Sequence, residues 1–201
     1  MRIIAGDYSG RPLKTLKGNA TRPTLDKVKE AVFSSLGGFF DGGVILDLYS
    51  GSGAIGLEAL SRGMDKAYLV DKSREAVEII KENVNTLKAN DYATVLCMKD
   101  TIALKTLKDK NVQFDLVYLD PPYALQQNEK IISFLDSEGM LKEKARIVVE
   151  CLKEDEHSER IGNIHKYKDA VYGITRIVYY RKESIWKHVI QEHLILLQLD
   201  I

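Results

Sequence analysis

The chain has 201 residues, of which 45% are hydrophobic and 29% are charged, a composition typical of a globular protein. Lysine plus arginine and aspartate plus glutamate both total 29, which argues against a protein that grips nucleic acid with its whole surface. No apolar run reaches the roughly 18 to 20 residues that cross a bilayer, and the N-terminus lacks the apolar stretch of a signal peptide. We therefore expect a cytoplasmic protein with one domain, monomeric rather than oligomeric, and no membrane partner.

Neither the cysteines nor the histidines show the spacing of a metal site. Cys97 and Cys151 each lie within an apolar stretch, and they form no Cys-x-x-Cys pair. The four histidines lack the i, i+4 and His-x-Glu patterns that zinc sites use. We predict buried, reduced thiols and no bound metal.

The first 22 residues are basic. Arg2–Ala5 and Pro12–Thr15 read as a short extended pair joined by a glycine-containing turn, which predicts a small β-hairpin. A basic hairpin can bind phosphates, but a solvated charged hairpin would have the same composition, so both interpretations stay open. The basic residues are Arg2, Arg11, Lys14, Lys17 and Arg22, against the single acid Asp7.

From residue 23 the pattern is that of an α/β protein. Thr24 can cap a helix over residues 25–36, and short apolar runs then alternate with helical segments, which is typical of a parallel sheet with crossover helices. The predicted strands are Val44–Leu46, Ala67–Val70, Thr94–Met98, Phe114–Leu119, Ala145–Val149, 163–170 and 174–182. The predicted helices after the first are 54–62, 73–89, 101–108 and 127–136.

These elements predict a Rossmann-like α/β fold. We expect a mostly parallel seven-stranded sheet with an antiparallel C-terminal hairpin strand, helices on both faces, and the small N-terminal hairpin. One domain would span residues 1–182, with 1–22 as an extension and 23–182 as the core. Residues 183–201 predict a helical tail, to which we assign no role.

A glycine-rich turn, Leu46–Gly56, follows the first strand directly and precedes a helix. Glycines at such a turn let the backbone approach a ligand closely. Asp47 stands at the end of the strand, where its carboxylate would repel a diphosphate but could receive an ammonium group. This difference favours S-adenosylmethionine over NAD.

Two further acids follow strands of the same predicted sheet. Asp71 comes twenty residues after Gly51 and ends the second strand, where an acid can accept both ribose hydroxyls of a nucleotide cofactor. Asp100 follows the third strand and is the candidate to bind an adenine amino group. Because open α/β sheets bind ligands at the carboxyl ends of their strands, Asp47, Asp71 and Asp100 together predict a cofactor site.

Asp120-Pro121-Pro122-Tyr123 ends the fourth predicted strand. The amino group of a nucleobase is a poor nucleophile because its lone pair is delocalised. If the Asp120 carboxylate and the Pro121 carbonyl accept its two N–H bonds, the nitrogen can direct its lone pair at a methyl group. Tyr123 offers a face on which the base can stack after it has left its helix. The motif therefore predicts methylation of a base amino group.

The assembled motifs resemble the RsmD family of bacterial small-subunit rRNA guanine-N2 methyltransferases, which have a class I S-adenosylmethionine-dependent fold. The resemblance implies S-adenosylmethionine as cofactor and a guanine of 16S rRNA, in the small subunit or its assembly intermediate, as substrate. Tyr49 departs from the phenylalanine of many members, and the tail after Lys182 lies outside the pattern. The likeness covers roughly residues 1–182 and rests on Arg2–Gly6, Gly10-Arg11, Arg22–Thr24, Leu46–Gly56, Glu58–Gly63 and Asp120–Tyr123.

Together the motifs and the resemblance define three sets of candidate residues. The catalytic candidates are Asp120, Pro121, Pro122 and Tyr123. The cofactor candidates are Asp47, Tyr49, Ser50, Gly51, Ser52, Gly53, Ala54, Gly56, Asp71, Lys72, Asp100, Thr101 and Asp120. The RNA-binding candidates are Arg2, Arg11, Arg22, Thr24 and Arg62.

Three other functions remain as alternatives. A DNA amino-methyltransferase acting on adenine or cytosine would use the same motifs, although the chain is short for an added target-recognition domain. An NAD-dependent oxidoreductase would use the glycine turn and Asp71 but would leave Asp47 and Asp120 without a purpose. A non-catalytic RNA-binding or assembly protein could have the same fold.

Overall fold

The computed structural model describes residues 1–16, 23–122 and 127–183. The predicted tail from residue 184 onward, Arg22 and Tyr123 lie outside the described residues. The helices are α1 (Pro23–Ser35), α2 (Ala54–Ser61), α3 (Arg74–Leu87), α4 (Asp100–Asp109) and α5 (Asn128–Ser137). The strands are β1 (Val44–Asp47), β2 (Lys66–Asp71), β3 (Ala93–Cys97), β4 (Phe114–Leu119), β5 (Leu141–Leu152), β6 (Arg160–Ile161), β7 (Ile164–Tyr172) and β8 (Thr175–Lys182).

All the described strands belong to one sheet with the order β3-β2-β1-β4-β5-β8-β7-β6. The first five strands pair in parallel, and the last three pair antiparallel. This confirms the predicted α/β fold with its C-terminal hairpin. The predicted number of seven strands is wrong, because β6 adds an eighth. A strand of two residues, Arg160 and Ile161, is too short to show the alternation by which a sequence reveals a strand.

Helices cover both faces of the sheet because neighbouring residues of each central strand point to opposite sides. Ile45 of β1 and Leu116 of β4 lie in a core with buried side chains of α1, α2 and α3, such as Phe33. Their neighbours Leu46 and Val117 lie in a second core with side chains of α4 and α5. The central strands are therefore apolar on both sides, as parallel strands between helices must be.

The two cysteines are free thiols in different environments. Cys151 is buried, as predicted, but the prediction of burial is wrong for Cys97, which is exposed. Cys97 is the last residue of β3, which is the edge strand of the sheet among the residues that the structure describes. Within the described part of the chain, no cluster of histidine, cysteine and acidic residues is arranged to bind a metal ion, and no helix has the length and hydropathy to span a membrane.

The N-terminal segment is a loop pinned by one antiparallel bridge, between Arg2 and Pro12, rather than a pair of strands. Backbone hydrogen bonds on either side of the bridge keep the arms together, including Ile3 N to the Arg11 carbonyl at 3.0 Å. At Gly6, which has φ +84°, a Cβ atom would lie 1.6 Å from the backbone oxygen of Ser61 in α2. The two paired strands that the sequence predicted are thus reduced to one bridge, because the backbone N–H groups of Ile4, Ala5 and Asp7 donate to α2 instead of to the second arm.

A buried carboxylate fastens this loop to the domain. The Oε2 atom of Glu58 accepts hydrogen bonds from the Ile4 backbone N–H at 2.8 Å and from the Lys29 ammonium at 2.9 Å. Its Oε1 atom accepts from the Ala5 N–H at 3.1 Å and from Arg62 Nε at 2.7 Å. Glu58 is 0% exposed. Since a buried charge must be balanced and hydrogen-bonded, the carboxylate brings α1, α2 and the N-terminal loop to one point.

The assignment of Arg62 to RNA binding is a prediction that the structure corrects. Its side chain is only 5% exposed. Besides the ion pair with Glu58, it donates to the Gly38 carbonyl at 2.8 Å and lies 4.9 Å from the ring centroid of Phe33. Its position four residues after Glu58 on one helix turns the side chain inward to its ion-pair partner. Arg62 therefore stabilises the fold and is not available to a phosphate.

We expect Glu58→Gln to lower the free energy of unfolding by about 3 to 5 kcal/mol, because the change leaves two buried cations without a counter-charge. Urea denaturation at neutral pH would measure the loss. Glu78→Gln is the matched control, since Glu78 forms an exposed pair with Lys81 at 2.8 Å and should change stability by no more than about 1 kcal/mol. Equal effects of the two substitutions would show that Glu58 does not organise the fold.

Candidate active site

The order in which the chain adds strands to the sheet changes direction between β1 and β4. The candidate site lies at the carboxyl ends of these two parallel strands. Open α/β sheets bind ligands at such a reversal point. Two adjoining cavities meet here and share Tyr49 and Asp120. The β3-side cavity is lined by Leu48, Tyr49, Asp71, Lys72, Met98, Lys99, Asp100, Thr101, Asp120, Pro122 and Gln127. The β5-side cavity is lined by Met1, Val28, Lys29, Asp47, Tyr49, Ser50, Gly51, Ser52, Ala54, Ile55, Tyr118, Asp120 and Glu150.

Residues of the turn between β1 and α2 line these cavities. Gly51 has φ +54° and Gly53 has φ +79°, conformations that residues with a Cβ rarely adopt. Gly56 has a different role, because a Cβ there would lie 2.2 Å from the Leu69 side chain of β2. The first two glycines thus shape the turn, and Gly56 lets α2 pack closely on the sheet.

Asp47 is buried beneath this turn. Its side chain is 2% exposed, and its Oδ2 atom accepts a hydrogen bond from the Gly56 N–H at 3.1 Å. The pKa of the Asp47 carboxyl is raised to about 7, mainly by burial; the hydrogen bond from the Gly56 N–H opposes the rise, and the charge of Asp71 contributes to it. Burial therefore disfavours the negative charge of Asp47, and a bound cation would favour it.

Asp71 and Asp100 both line the β3-side cavity. The carboxylate of Asp71 accepts the backbone N–H of Gly51 at 3.0 Å and that of Ser73 at 2.8 Å. Asp100 begins α4, and its Oδ2 atom accepts the Tyr49 hydroxyl at 2.8 Å. The pKa of Tyr49 is raised by burial and by Asp100, so this hydroxyl keeps its proton. The cavity, with a volume of about 380 Å³, thus has two hydrogen-bonded carboxylates in its lining and suits a small polar ligand.

Asp120 lines both cavities. It follows β4 directly and is open to the cleft while protein surrounds its other sides. This surrounding protein, together with the charges of Glu150 and Asp47, raises the pKa of the Asp120 carboxyl well above its usual range. Pro121 is buried next to it, and Pro122 lines the β3-side cavity. The Asp120 side chain therefore stands where a ligand in one cavity would meet a ligand in the other.

Glu150 is a site residue that the sequence analysis missed. It lies in β5, lines the β5-side cavity, and accepts the Tyr118 hydroxyl on Oε2 at 2.6 Å. Burial raises the pKa of Glu150, and the hydrogen bond from Tyr118 opposes that rise. The sequence did contain a signal, because Glu150 follows the buried run Ile147–Val149 in the same way that Asp120 follows the end of β4.

Lys29 and Met1 were missed as well, and both line the β5-side cavity. Lys29 belongs to α1 and donates to the Arg2 carbonyl at 2.6 Å in addition to its pair with Glu58. Burial lowers the pKa of Lys29, and Glu58 counteracts this effect. The helix α1 and the chain start thus form the wall of the cavity opposite the strand ends.

Comparison with known proteins identifies the family. The family model described as "Conserved hypothetical protein 95" matches residues 1–181. The chain belongs to this family. YlbH of Bacillus subtilis is 39% identical over 184 residues, which are 92% of this chain and all of that protein. The ribosomal RNA small subunit methyltransferase D of Escherichia coli K12 is 32% identical over 92% of this chain and 91% of its own length.

A solved structure gives the same result. The yhhF protein of Escherichia coli superposes with a TM-score of 0.78 at 34% identity, over 91% of this chain and 98% of that chain. The resemblance stated from the sequence is thus confirmed at the level of the Conserved hypothetical protein 95 family and of the fold. The match also covers the N-terminal loop, which the family model includes.

The structure brings most of the sequence-predicted site residues of this family member together. Twelve of them line the two cavities, whereas Gly53 and Gly56 shape the turn beneath and Pro121 is buried beside Asp120. Arg2 and Arg11 lie exposed on the N-terminal loop. Thr24 is in the first turn of α1, and its side chain lies outside the described part. The twelve are Asp47, Tyr49, Ser50, Gly51, Ser52, Ala54, Asp71, Lys72, Asp100, Thr101, Asp120 and Pro122.

We expect Asp47→Asn to stabilise the protein above neutral pH. The Asp47 pKa of about 7 lies above the unfolded value near 4, so the folded state holds a proton that the unfolded state releases. Wild-type stability should therefore fall between about pH 4 and pH 8 relative to the variant. The difference at pH 8 should approach about 4 kcal/mol, at about 1.4 kcal/mol per unit of pKa displacement.

Urea denaturation of both proteins from pH 4 to pH 8.5 would measure this difference. Asp91→Asn, a change at an exposed loop position, is the control and should give parallel curves. A constant offset between wild type and Asp47→Asn at every pH would contradict the assignment of a raised pKa to Asp47.

Proposed function

We propose that this protein uses S-adenosylmethionine to methylate the exocyclic N2 of a guanine in the RNA of the small ribosomal subunit. The observation that carries the proposal is that the glycine turn and Asp120 open into one cavity. A methyl donor held by Gly51 and Ser52 would therefore face the carboxylate that binds the acceptor amino group. The names of relatives such as the Escherichia coli methyltransferase D support an rRNA substrate.

The charges of the site favour S-adenosylmethionine over a dinucleotide. Asp47, Asp120 and Glu150 line the same cavity, and three carboxylates there would repel a diphosphate. The ammonium and sulfonium groups of S-adenosylmethionine would instead offset the burial of these carboxylates. On the other side, the Asp71 carboxylate, which accepts the Gly51 N–H, would also accept ribose hydroxyls, and Asp100, which accepts the Tyr49 hydroxyl, would accept an adenine amino group. These roles leave each carboxylate with a ligand group of suitable chemistry.

The residues around Asp120 would activate the base. The Asp120 carboxylate and the Pro121 carbonyl accept the two N–H bonds of the amino group, which frees the nitrogen lone pair for attack. The bound cofactor supplies the methyl group, whose bond to sulfur breaks as its bond to N2 forms. The nitrogen then loses one proton, and the raised pKa of Asp120 makes that carboxylate a suitable acceptor. Stacking on the base is the role that we propose for Tyr123, which lies outside the described residues.

The N-terminal loop is our candidate for the RNA surface. Arg2 and Arg11 are exposed on it, and Met1 lines the β5-side cavity, so the loop borders the site where the base would enter. Arg22, the residue before α1, and Thr24, in its first turn, extend this proposal to the start of α1. A small-subunit particle as substrate, a monomeric state and a cytoplasmic location remain predictions that belong with this proposal.

We expect Asp120→Ala to reduce methyl transfer at least 100-fold while affinity for S-adenosylhomocysteine stays within about threefold, because the change removes an acceptor that acts on the base. Purified protein, labelled S-adenosylmethionine and small subunits from cells lacking the endogenous activity provide the assay, with nucleoside mass spectrometry to identify N2-methylguanosine. Asp91→Ala is the exposed control and should retain full activity.

The alternatives give different results in the same experiments. A DNA amino-methyltransferase would label duplex DNA, and an NAD-dependent oxidoreductase would bind NAD more tightly than S-adenosylhomocysteine in calorimetry. A non-catalytic RNA-binding protein would bind the particle and transfer no methyl group. Methylated RNA without N2-methylguanosine would refute the base assignment and leave the reaction class intact.

We expect Arg11→Ala to weaken RNA binding equally for all sequences and to reduce the slope of log affinity against log salt by about 0.7 to 0.9, the effect of one lost phosphate contact. Filter binding from 50 to 300 mM KCl would measure the slope. Lys110→Ala is the control, because Lys110 is exposed just after α4 and shortly before β4 begins, so it lies towards the amino ends of the strands and away from the site. An unchanged slope for Arg11→Ala would remove the loop from the RNA surface.

A further inference from the structure

Glu150 stands beside Asp120 on the neighbouring strand. The parallel register pairs Tyr118 with Val148 and Leu119 with Val149, and the next step along both strands brings Asp120 opposite Glu150. Because residues in register on parallel strands point to the same face, both carboxylates are directed to the β5-side cavity, which both line. A base whose amino group reaches Asp120 would therefore present the adjoining atom of its edge to Glu150.

The orientation of Glu150 is fixed. The Tyr118 hydroxyl donates to its Oε2 atom at 2.6 Å, and Tyr118 is itself buried, with 2% of its surface exposed. This bond occupies one lone pair of Oε2 and leaves Oε1 to accept from a ligand. It also favours the ionised form of Glu150. Glu150 is thus a prepared hydrogen-bond acceptor.

Three side-chain donors that line this cavity already have partners within the protein. The Tyr118 hydroxyl is bonded to Glu150, and the Tyr49 hydroxyl is bonded to Asp100. The ammonium of Lys29 has partners in Glu58 and the Arg2 carbonyl. The strand-end wall of the cavity therefore offers a row of acceptors, Asp120 and Glu150.

Among the bases that carry an amino group, only guanine presents two adjacent donors to these two acceptors. Guanine carries the N1–H donor directly beside its N2 amino group, so its edge presents donors to both carboxylates. Adenine and cytosine carry an unprotonated ring nitrogen beside the amino group, and that lone pair would face the Glu150 carboxylate. A buried acceptor without a donor is costly, so the site would reject both bases.

We propose that Glu150, oriented by Tyr118, accepts the N1–H of the target base and thereby selects guanine over adenine and cytosine. The inference rests on the proposed function and adds to it a specificity-determining residue. It also gives a structural reason for a guanine substrate that does not depend on the names of relatives.

The test compares guanine with 2-aminopurine, which keeps the N2 amino group but has a lone pair at N1 in place of the N1–H. Mass spectrometry of RNA methylated by the wild-type enzyme first locates the modified position. Small subunits are then reconstituted from ligated RNA with guanine or 2-aminopurine at that position, and kcat/KM is measured for each under single-turnover conditions. We expect the wild type to prefer guanine by at least 100-fold.

Glu150→Gln should lower kcat/KM on guanine about 10-fold to 100-fold and leave 2-aminopurine unchanged or improved, because an amide can donate to the N1 lone pair. The preference for guanine should therefore shrink at least tenfold. Tyr118→Phe, which frees Glu150 to rotate, should shift the preference in the same direction by a smaller factor. The affinity for S-adenosylhomocysteine should stay within about threefold in both variants.

Equal losses on both bases would overturn the inference, because they would show that Glu150 supports only the shape of the cavity. Full activity of Glu150→Gln on guanine would overturn it as well. If Glu150→Gln does not fold, Tyr118→Phe decides, and an unchanged preference in that variant counts against the inference. Failure of the wild type to methylate guanine would instead refute the proposed function, so the two failures are distinguishable.

Discussion

The balance of charge at Glu58 is the constraint on which the rest of the structure depends. Its carboxylate has no access to water, and four donors from the N-terminal loop, α1 and α2 satisfy it. Because two of these donors are the charged side chains of Lys29 and Arg62, the three segments cannot separate without leaving a buried charge unpaired. The same convergence places Lys29 and Met1 on the wall of the β5-side cavity. A structural ion-pair network thus determines the shape of the site.

The carboxylates at the strand ends are in the opposite situation. Asp47, Asp120 and Glu150 line one cavity, and burial raises the pKa of each; the charges of Glu150 and Asp47 raise that of Asp120 as well. At Glu58 the protein supplies the counter-charges itself, whereas here a ligand must supply them. Unbalanced carboxylates destabilise the free protein, and they are useful only if a cation and hydrogen-bond donors arrive together. S-adenosylmethionine and a base amino group have this combination of properties.

The sequence predicted the fold and much of the cavity lining because both depend on local signals. Strands, crossover helices and the acids that follow strands are visible from spacing alone, and Asp47, Asp71, Asp100 and Asp120 were all found in this way. Glu150 was missed because its strand continues past it to Leu152, so no loop marks it as a strand end. The role of Arg62 was predicted wrongly, because the sequence does not show whether the partner of an arginine is a phosphate or a buried carboxylate. That distinction depends on burial and on contacts with α1 and the N-terminal loop, which come together only in the folded protein.

A buried side chain links the N-terminal loop, which is our candidate RNA surface, to the glycine turn. Asn83 of α3 is buried, accepts the Lys14 N–H at 2.8 Å on Oδ1, and donates from Nδ2 to the carbonyls of Lys14 at 3.0 Å and Ser52 at 2.9 Å. One amide therefore holds both the second arm of the loop and the glycine turn. Since Glu58 fixes the first arm, the loop is attached at both ends to elements that bound the site. If RNA binds Arg11 as proposed, it would load a segment whose anchors also hold the glycine turn, and this arrangement would couple recognition of the substrate to the position of the proposed methyl donor.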